Sequence, residues 1–191
     1  MRNYINLNKD WLFSDGVNTE TVSVPHTWNA IDGADGGNDY VRAKRTYTKT
    51  FSRPQGKVVY LEVKGANSSA SVYVNGLFAT VHHGGFSTFR VDITDLLKDE
   101  NELKIEVDNI ATERVYPQTA DFTFFGGIYR DVNLIVLDDA HFDPDFCGSQ
   151  GLKVNSSVEN GVGKVTLETK IIGAGQAHYY IYDGETLVAD N

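Results

Sequence analysis

Short apolar runs with a period of two constrain this chain more than any other feature. Apolar residues occupy every second position in 59–63 (VYLEV) and in 103–107 (LKIEV). Successive side chains of a β-strand point to opposite faces, so this period predicts strands with one buried face. Asn75-Gly76 separates two further runs and predicts a tight type I′ hairpin.

The number and spacing of these runs predict an all-β fold. Turn residues separate the runs at short intervals, and the only helical hint is one turn near Thr94, which is a candidate N-cap. Residues 128–137 are apolar enough to predict a strand that is buried on both faces. Many short strands without helices between them favour two packed antiparallel sheets, as in a β-sandwich or jelly roll. Trp11, Phe13 and Trp28 are expected to fill its core.

A change of composition after Leu137 predicts a domain boundary. The following stretch, DDAHFDPDFCGSQG, is acidic, contains proline and glycine, and lacks alternation. We therefore predict a first domain over 1–140, a linker over 141–150 and a second domain over 151–191. About four strands are expected in the second domain, fewer than the roughly seven of an immunoglobulin-like sandwich. We expect this second sandwich to be incomplete.

Charge and cysteine content exclude several classes of partner. Seventeen Lys and Arg against 26 Asp and Glu give a formal net charge of −9, which repels nucleic acid and anionic membranes. No run of 18 apolar residues occurs, so no membrane partner is expected. Cys147 is the single cysteine, and His82 and His83 adjoin a turn where neighbouring side chains diverge. We expect neither a disulfide nor a metal site.

Seven segments, taken in order, carry a resemblance to a known family. They resemble the amino-terminal sugar-binding domain of glycoside hydrolase family 2, which includes β-galactosidases, β-glucuronidases and β-mannosidases. The segment that follows, HFDPDFCGSQGLKVNSSV, resembles the entry to that family's immunoglobulin-like module. The seven segments are INLNKDWLF, VSVPHTWNA, YVRAKRTYTKTF, VYLEVKGANSSASVYVNG, HHGGFSTFRVDITDLL, NELKIEVDN and DFTFFGGIYRDVNL.

The resemblance implies a galactose-binding-domain-like jelly roll followed by a truncated immunoglobulin-like sandwich. In the family, the two catalytic glutamates lie on a (β/α)₈ barrel that follows the second module, so we expect no catalytic residue and no cofactor in this chain. Whether the barrel holds a metal and whether the parent enzyme forms a homo-oligomer are left open. The expected partners are a carbohydrate substrate and the enzyme's own barrel. By resemblance, we expect a β-galactosidase-like, retaining parent enzyme that is periplasmic or secreted, with a cytoplasmic location as the alternative.

Asp121 is the first candidate substrate-binding residue. It precedes Gly126 and Gly127 in a predicted loop, and loops on rigid β scaffolds often carry ligand contacts. By resemblance, an Asp at this position reaches into the active site and accepts hydrogen bonds from sugar hydroxyls, which a carboxylate does strongly. The alternative is an Asp that caps its own turn.

Arg42 and Lys44 are the second and third candidates. By resemblance, their loop supplies an Asn to the same subsite in some β-galactosidases, whereas Lys44 occupies the nearest position here. Either residue could donate a hydrogen bond to a hydroxyl or pair with a sugar carboxylate. The alternative is a solvated basic turn.

Two further functions compete with the role of a glycosidase accessory domain. Jelly rolls also serve as autonomous carbohydrate-binding modules, which predicts measurable sugar affinity for the isolated chain. A purely structural domain would use Asp121 only to cap a turn.

Overall fold

A computed structural model describes residues 2–34, 40–116 and 124–190. The chain divides into two compact units between Asp138 and Asp139. The strands of the first unit are β1 (Asn3–Asn6), β2 (Trp11–Ser14), β3 (Thr19–Val22), β4 (Lys44–Ser52), β5 (Val58–Val63), β6 (Ser69–Val74), β7 (Leu77–His83), β8 (Phe89–Asp92), β9 (Glu100–Asp108) and β10 (Val132–Leu137).

The first unit is a sandwich of two antiparallel sheets. One sheet has six strands in the order β3-β2-β4-β9-β6-β7, and the other has four in the order β1-β10-β5-β8. The core lies between them, because alternate residues of both sheets belong to one buried cluster. Tyr47, Val72 and Ile105 come from the six-stranded sheet, whereas Leu61 and Leu134 come from the four-stranded sheet. The predicted all-β fold is therefore confirmed.

The period-two runs and the hairpin lie where the sequence predicts them. Residues 59, 61 and 63 of β5 all face the core. Asn75 and Gly76 join β6 to β7 with φ of 53° and 79°, as a type I′ turn requires. Trp11 and Phe13 are buried as predicted, and Trp28 packs half-buried against the same core.

Two local predictions are wrong. The strand predicted over 128–137 begins only at Val132, although its six residues are buried on both faces as expected. Ile128 is buried before the strand, directly after a bridge between Gly127 and Asn67. Thr94 begins a short 3₁₀ turn but does not cap it. Its hydroxyl instead accepts a hydrogen bond from the amide of Val59 at 2.9 Å, because β5 lies beside the turn.

A buried ion pair lies on the side of the four-stranded sheet that faces away from the core. The Glu62 side chain is 3% exposed, and its Oε2 accepts a hydrogen bond from Arg90 Nε at 2.8 Å. The other oxygen of Glu62 accepts from Asn133 Nδ2 at 3.1 Å. Paired charges with further hydrogen bonds are the form in which proteins tolerate a buried carboxylate.

The second unit is built from two-stranded antiparallel sheets. Its strands are β11 (His141–Phe142), β12 (Leu152–Glu159), β13 (Val162–Thr169), β14 (Ile171–Ile172), β15 (Tyr180–Asp183) and β16 (Thr186–Asp190). They pair as β11 with β14, β12 with β13 and β15 with β16. The stretch predicted as a linker, 141–150, contains β11 and a 3₁₀ turn at Phe146–Gly148. Among the described residues, no helix combines the length and the hydropathy that crossing a bilayer would require.

Candidate functional site

The structure describes two of the three predicted substrate-binding residues. Asp121 lies outside the described residues, so its sugar contact stays a prediction. Arg42 and Lys44 are both described and both exposed; Arg42 lies just before β4, and Lys44 is its first residue. Their side chains have different surroundings.

Lys44 is engaged in an ion pair on the outer face of the six-stranded sheet. Its Nζ lies 3.0 Å from Glu106 Oε2, and Lys104 Nζ lies 2.9 Å from Glu106 Oε1. The hydrogen bond to Glu106 raises the pKa of Lys44. Partial burial opposes the ionisation of Glu106, but hydrogen bonds from the two lysines outweigh it and lower the pKa of that carboxyl. A sugar contact through Lys44 stays a prediction.

Arg42 lies beside described residues that flank the Asp121 segment in the sequence. Its guanidinium carbon is 5.1 Å from the centroid of the Phe124 ring, a cation–π distance. Arg42 and Phe124 line one small depression together with Val115 and Tyr116. Val115 and Tyr116 precede residues 117–123, and Phe124 follows them. Arg42 is therefore close to described residues on both sides of 117–123 in the sequence.

Two exposed aromatic residues border the same depression. Phe86, in the turn between β7 and β8, is 70% exposed, and Tyr116 is 91% exposed. Exposed aromatic faces beside hydrogen-bonding groups are common where proteins contact ligands, because the ring supplies apolar area at low entropic cost. The depression thus combines a cation, aromatic faces and nearby amides.

Three buried asparagines hold the backbone that follows residues 117–123. Asn29 Oδ1 accepts a hydrogen bond from the amide of Gly126 at 2.7 Å. Asn109 Nδ2 donates to the carbonyl of Phe124 at 3.1 Å, and Asn67 Nδ2 donates to the carbonyl of Phe125 at 2.7 Å. Buried backbone groups outside a sheet ladder need such partners. We call these three residues the asparagine clamp.

The clamp is itself cross-linked and tied to the start of β4. Asn109 Nδ2 also donates to Asn29 Oδ1 at 3.3 Å, and its Oδ1 accepts from the amide of Ala43 at 2.8 Å. Asn29 Nδ2 donates to the carbonyl of Val41 at 2.9 Å. Residues 41 and 43 flank Arg42, so the same clamp positions the arginine backbone and the backbone after the Asp121 segment.

Gly126 and Gly127 permit this close packing. A side-chain carbon at Gly126 would overlap the Trp28 indole, and one at Gly127 would overlap the carbonyl oxygen of His26. Gly127 also has φ of 136°, which favours glycine strongly. Thr27 Oγ1 donates to the carbonyl of Gly126 at 2.7 Å, which adds a further tie.

His26 and Tyr47 form a hydrogen-bonded pair close to the asparagine clamp. His26 Nδ1 lies 2.8 Å from the hydroxyl of Tyr47, and the His26 amide donates to the carbonyl of Ile128 at 2.8 Å. Burial lowers the pKa of His26 and raises the pKa of Tyr47 above its ordinary value. Both side chains contact Phe13 within the sandwich, so the pair belongs to the core. Through the bond to Ile128 it also holds the backbone that follows Gly127.

The sequence did not reveal the asparagine clamp as a site. All three residues lie within motifs that carried the family resemblance, but an isolated Asn in a sequence is equally typical of a turn. Within the described residues, no group of three or more His, Cys, Asp or Glu side chains is placed to hold a metal ion.

Comparison with known proteins identifies the family. Residues 37–126 match the family model for the glycosyl hydrolase 2 galactose-binding domain-like domain. The chain is 35% identical to a β-glucuronidase of Bacteroides fragilis over 202 aligned residues, covering 98% of this chain and 29% of that protein. It is 31% identical to a β-galactosidase of Thermoanaerobacter pseudethanolicus, covering 90% of this chain and 25% of that protein.

A solved structure extends the similarity to the whole chain. The structure of an FMN-binding β-glucuronidase from Facaelibacterium prausnitzii superposes with a TM-score of 0.93 and 43% sequence identity. It covers all of this chain, which spans 32% of the length of that protein. The chain thus spans about a third or less of the relatives that it matches. It belongs to glycoside hydrolase family 2 and carries the galactose-binding-like amino-terminal domain of that family.

Proposed function

We propose that this chain is the non-catalytic amino-terminal part of a retaining β-glycosidase that hydrolyses terminal β-glycosidic bonds. Its first unit would buttress the catalytic barrel and help to bind the sugar at the non-reducing end. Two of the relatives are roughly three times longer than this chain, as its 29% and 32% shares of them indicate. Retaining chemistry needs two carboxylates about 5 Å apart, and in the family both are barrel glutamates.

The observation that carries this proposal is the asparagine clamp. It fixes the backbone at 124–127 with buried hydrogen bonds, directly after the segment that contains Asp121. A side chain on such a support loses little conformational entropy when it meets a ligand, and preorganisation of this kind improves binding and orientation.

Arg42 supports a uronide as the preferred substrate. A guanidinium can pair with a carboxylate through two parallel hydrogen bonds, whereas a neutral galactose offers it only hydroxyls. Two of the relatives described above are named β-glucuronidases, and both are more similar to this chain than the named β-galactosidase is. We therefore propose terminal β-glucuronides as the first substrate class. Terminal β-galactosides are the second, because one relative carries that name.

The second unit is proposed to be part of an immunoglobulin-like sandwich that connects the first unit to the barrel. One face of its β12–β13 hairpin is apolar, with Val154 opposite Leu167, and Val154 is exposed. The other face carries Lys153 opposite Glu168. This amphipathic pattern is what one layer of a sandwich requires. We also propose that the parent enzyme is exported from a bacterial cell.

Three measurements test the proposal. The 191-residue chain should hydrolyse neither p-nitrophenyl β-glucuronide nor the galactoside, and calorimetry with glucuronate and galactose should show no tight binding. Tight binding by the chain alone would instead support an autonomous carbohydrate-binding module. In a longer parent protein, Asp121→Ala should lower kcat/KM, and an unchanged kcat/KM would leave only a scaffolding role.

A further inference from the structure

We propose that Asn160 is a site of spontaneous deamidation and that Asn75, which is also followed by a glycine, is protected by the fold. Both residues precede a glycine at the tip of a two-residue hairpin. The two sites differ in what holds their side chains. This inference is independent of the proposed function.

The two turns have nearly the same backbone conformation. Asn75 and Asn160 both have φ of 53°, and the glycine that follows each has φ of 79°. Glu159 pairs with Val162 across the second turn, which gives the same two-residue loop as the first. Local sequence and backbone shape therefore predict equal reactivity for the two sites, so any difference must come from the surroundings.

The Asn75 side chain is held at both of its polar atoms. Its Nδ2 donates to the carbonyl of Leu96 at 2.8 Å and to Asn101 Oδ1 at 2.9 Å. Its Oδ1 accepts from the amide of Glu102 at 3.0 Å. These contacts prevent the side-chain amide from rotating freely. They must break before the side chain can turn toward Gly76.

The Asn160 side chain is exposed at the tip of the β12–β13 hairpin. Within the described part of the chain it makes no hydrogen bond or ring contact. Beyond its chain neighbours, the position that a Cβ of Gly161 would occupy has no heavy atom within 4 Å. Neither side-chain contacts nor crowding therefore hinders rotation of the Asn160 amide toward the backbone of Gly161.

The reaction joins the backbone nitrogen of Gly161 to Cγ of Asn160. The Gly161 amide loses its proton, the new N–Cγ bond forms a five-membered imide, and the Cγ–Nδ2 bond breaks with release of ammonia. Water then opens the imide at either carbonyl and gives aspartate or isoaspartate. Asparagine is among the residues that degrade in this way on heating, and a following glycine places no side chain near the attacking nitrogen.

The product changes the hairpin in two ways. Either product adds one negative charge to a chain whose formal charge is already −9. Isoaspartate also inserts an extra carbon into the main chain of a turn that has only two residues. Such a turn no longer matches the twist of the flanking strands. Deamidation is therefore expected to loosen the pairing of β12 with β13.

The test is a mass-spectrometric time course on the folded 191-residue chain at mildly alkaline pH. Peptides containing residue 75 or residue 160 are quantified for replacement of the side-chain amide by a carboxyl group. We expect deamidation at Asn160 to be at least about tenfold faster than at Asn75, which corresponds to about 1.4 kcal/mol of activation free energy. Asn160→Gln should abolish the signal at that peptide.

Denaturing the same chain in urea supplies the control. Without the fold, the two Asn-Gly sites should deamidate at similar rates, because the tertiary contacts that protect Asn75 are then lost. Equal rates in the folded chain, or a faster rate at Asn75, would overturn the proposal. So would full protection of Asn160 in the folded chain when the denatured chain reacts.

Discussion

The side-chain oxygen of Asn29 accepts a hydrogen bond from the backbone amide of Gly126 at 2.7 Å, and Asn29 is fully buried. The two residues are 97 positions apart in the sequence. This contact joins the loop before β4 to the backbone that follows residues 117–123. It anchors the backbone at Gly126 to the sandwich.

Asn29→Ala should therefore destabilise the first unit. It leaves the buried Gly126 amide without its acceptor, and such a loss costs about 1–3 kcal/mol. Urea unfolding should show the lower free energy of unfolding. Asn155→Ala, at an exposed position of β12, is the matched control and should change the free energy little. Equal effects of the two substitutions would contradict a clamp at Asn29.

Gly127→Ala should be more damaging than a glycine substitution elsewhere. The added methyl group would overlap the carbonyl oxygen of His26, and φ at this position is 136°. Overpacking and an unfavourable backbone together should cost about 2 kcal/mol or more. Gly163→Ala is the control, because open space surrounds that position in β13. Denaturant midpoints that shift by the same amount in both variants would refute this explanation.

Local patterns predicted the strands well because burial in a sheet follows the chain residue by residue. The period-two run at 59–63 and the Asn75-Gly76 turn carry that information within a few positions. The asparagine clamp cannot be predicted from such local patterns, because Asn29 and Asn109, which are hydrogen-bonded to each other, lie 80 positions apart in the sequence. An asparagine that will be buried against a distant loop is identical in sequence to one that lies in a turn.

The candidate substrate-binding residues illustrate the same limit. The sequence marks Lys44 as part of a basic turn, but its partner Glu106 lies 62 positions further along the chain. Arg42 could be named as a candidate, yet its place beside Phe124 depends on how β4 and the segment after 123 meet in space. Asp121 lies outside the described residues, so its role continues to rest on resemblance.

Removing the carboxylate of the buried ion pair should destabilise the four-stranded sheet. Glu62→Gln leaves the Arg90 guanidinium, whose side chain is 9% exposed, without this counter-charge. Breaking such a pair from one side typically costs about 3–5 kcal/mol. Glu168→Gln is the control, since the Lys153–Glu168 pair is exposed and such pairs contribute about 0–1 kcal/mol. A small effect at Glu62, measured by urea unfolding, would show that the buried pair contributes no more than the exposed one.

Stability should fall as the pH drops from about 7 to about 5. Burial lowers the pKa of His26 and of His82 in the folded chain. The unfolded chain therefore binds more protons in this range, and protonation favours unfolding. His26→Asn should lower stability at all pH values, because the contact with Tyr47 is lost, but it should reduce the fall between the two pH values. Thermal melts across the range measure both effects, and an unchanged pH dependence would exclude His26 as a contributor.

Arg42→Ala in the longer parent enzyme should lower kcat/KM for a β-glucuronide by roughly tenfold to a hundredfold, the value of one charged hydrogen bond of about 1.5–3 kcal/mol. Arg42→Lys should recover only part of the loss, because an ammonium cannot form the paired contact of a guanidinium. Lys44→Ala should have a smaller effect, since Lys44 already pairs with Glu106. Steady-state kinetics on the glucuronide and the galactoside compare these variants. A larger loss at Lys44 than at Arg42 would identify Lys44 as the more important of the two residues. If Arg42→Ala lowered kcat/KM equally for the glucuronide and the galactoside, recognition of the carboxylate by Arg42 would be contradicted.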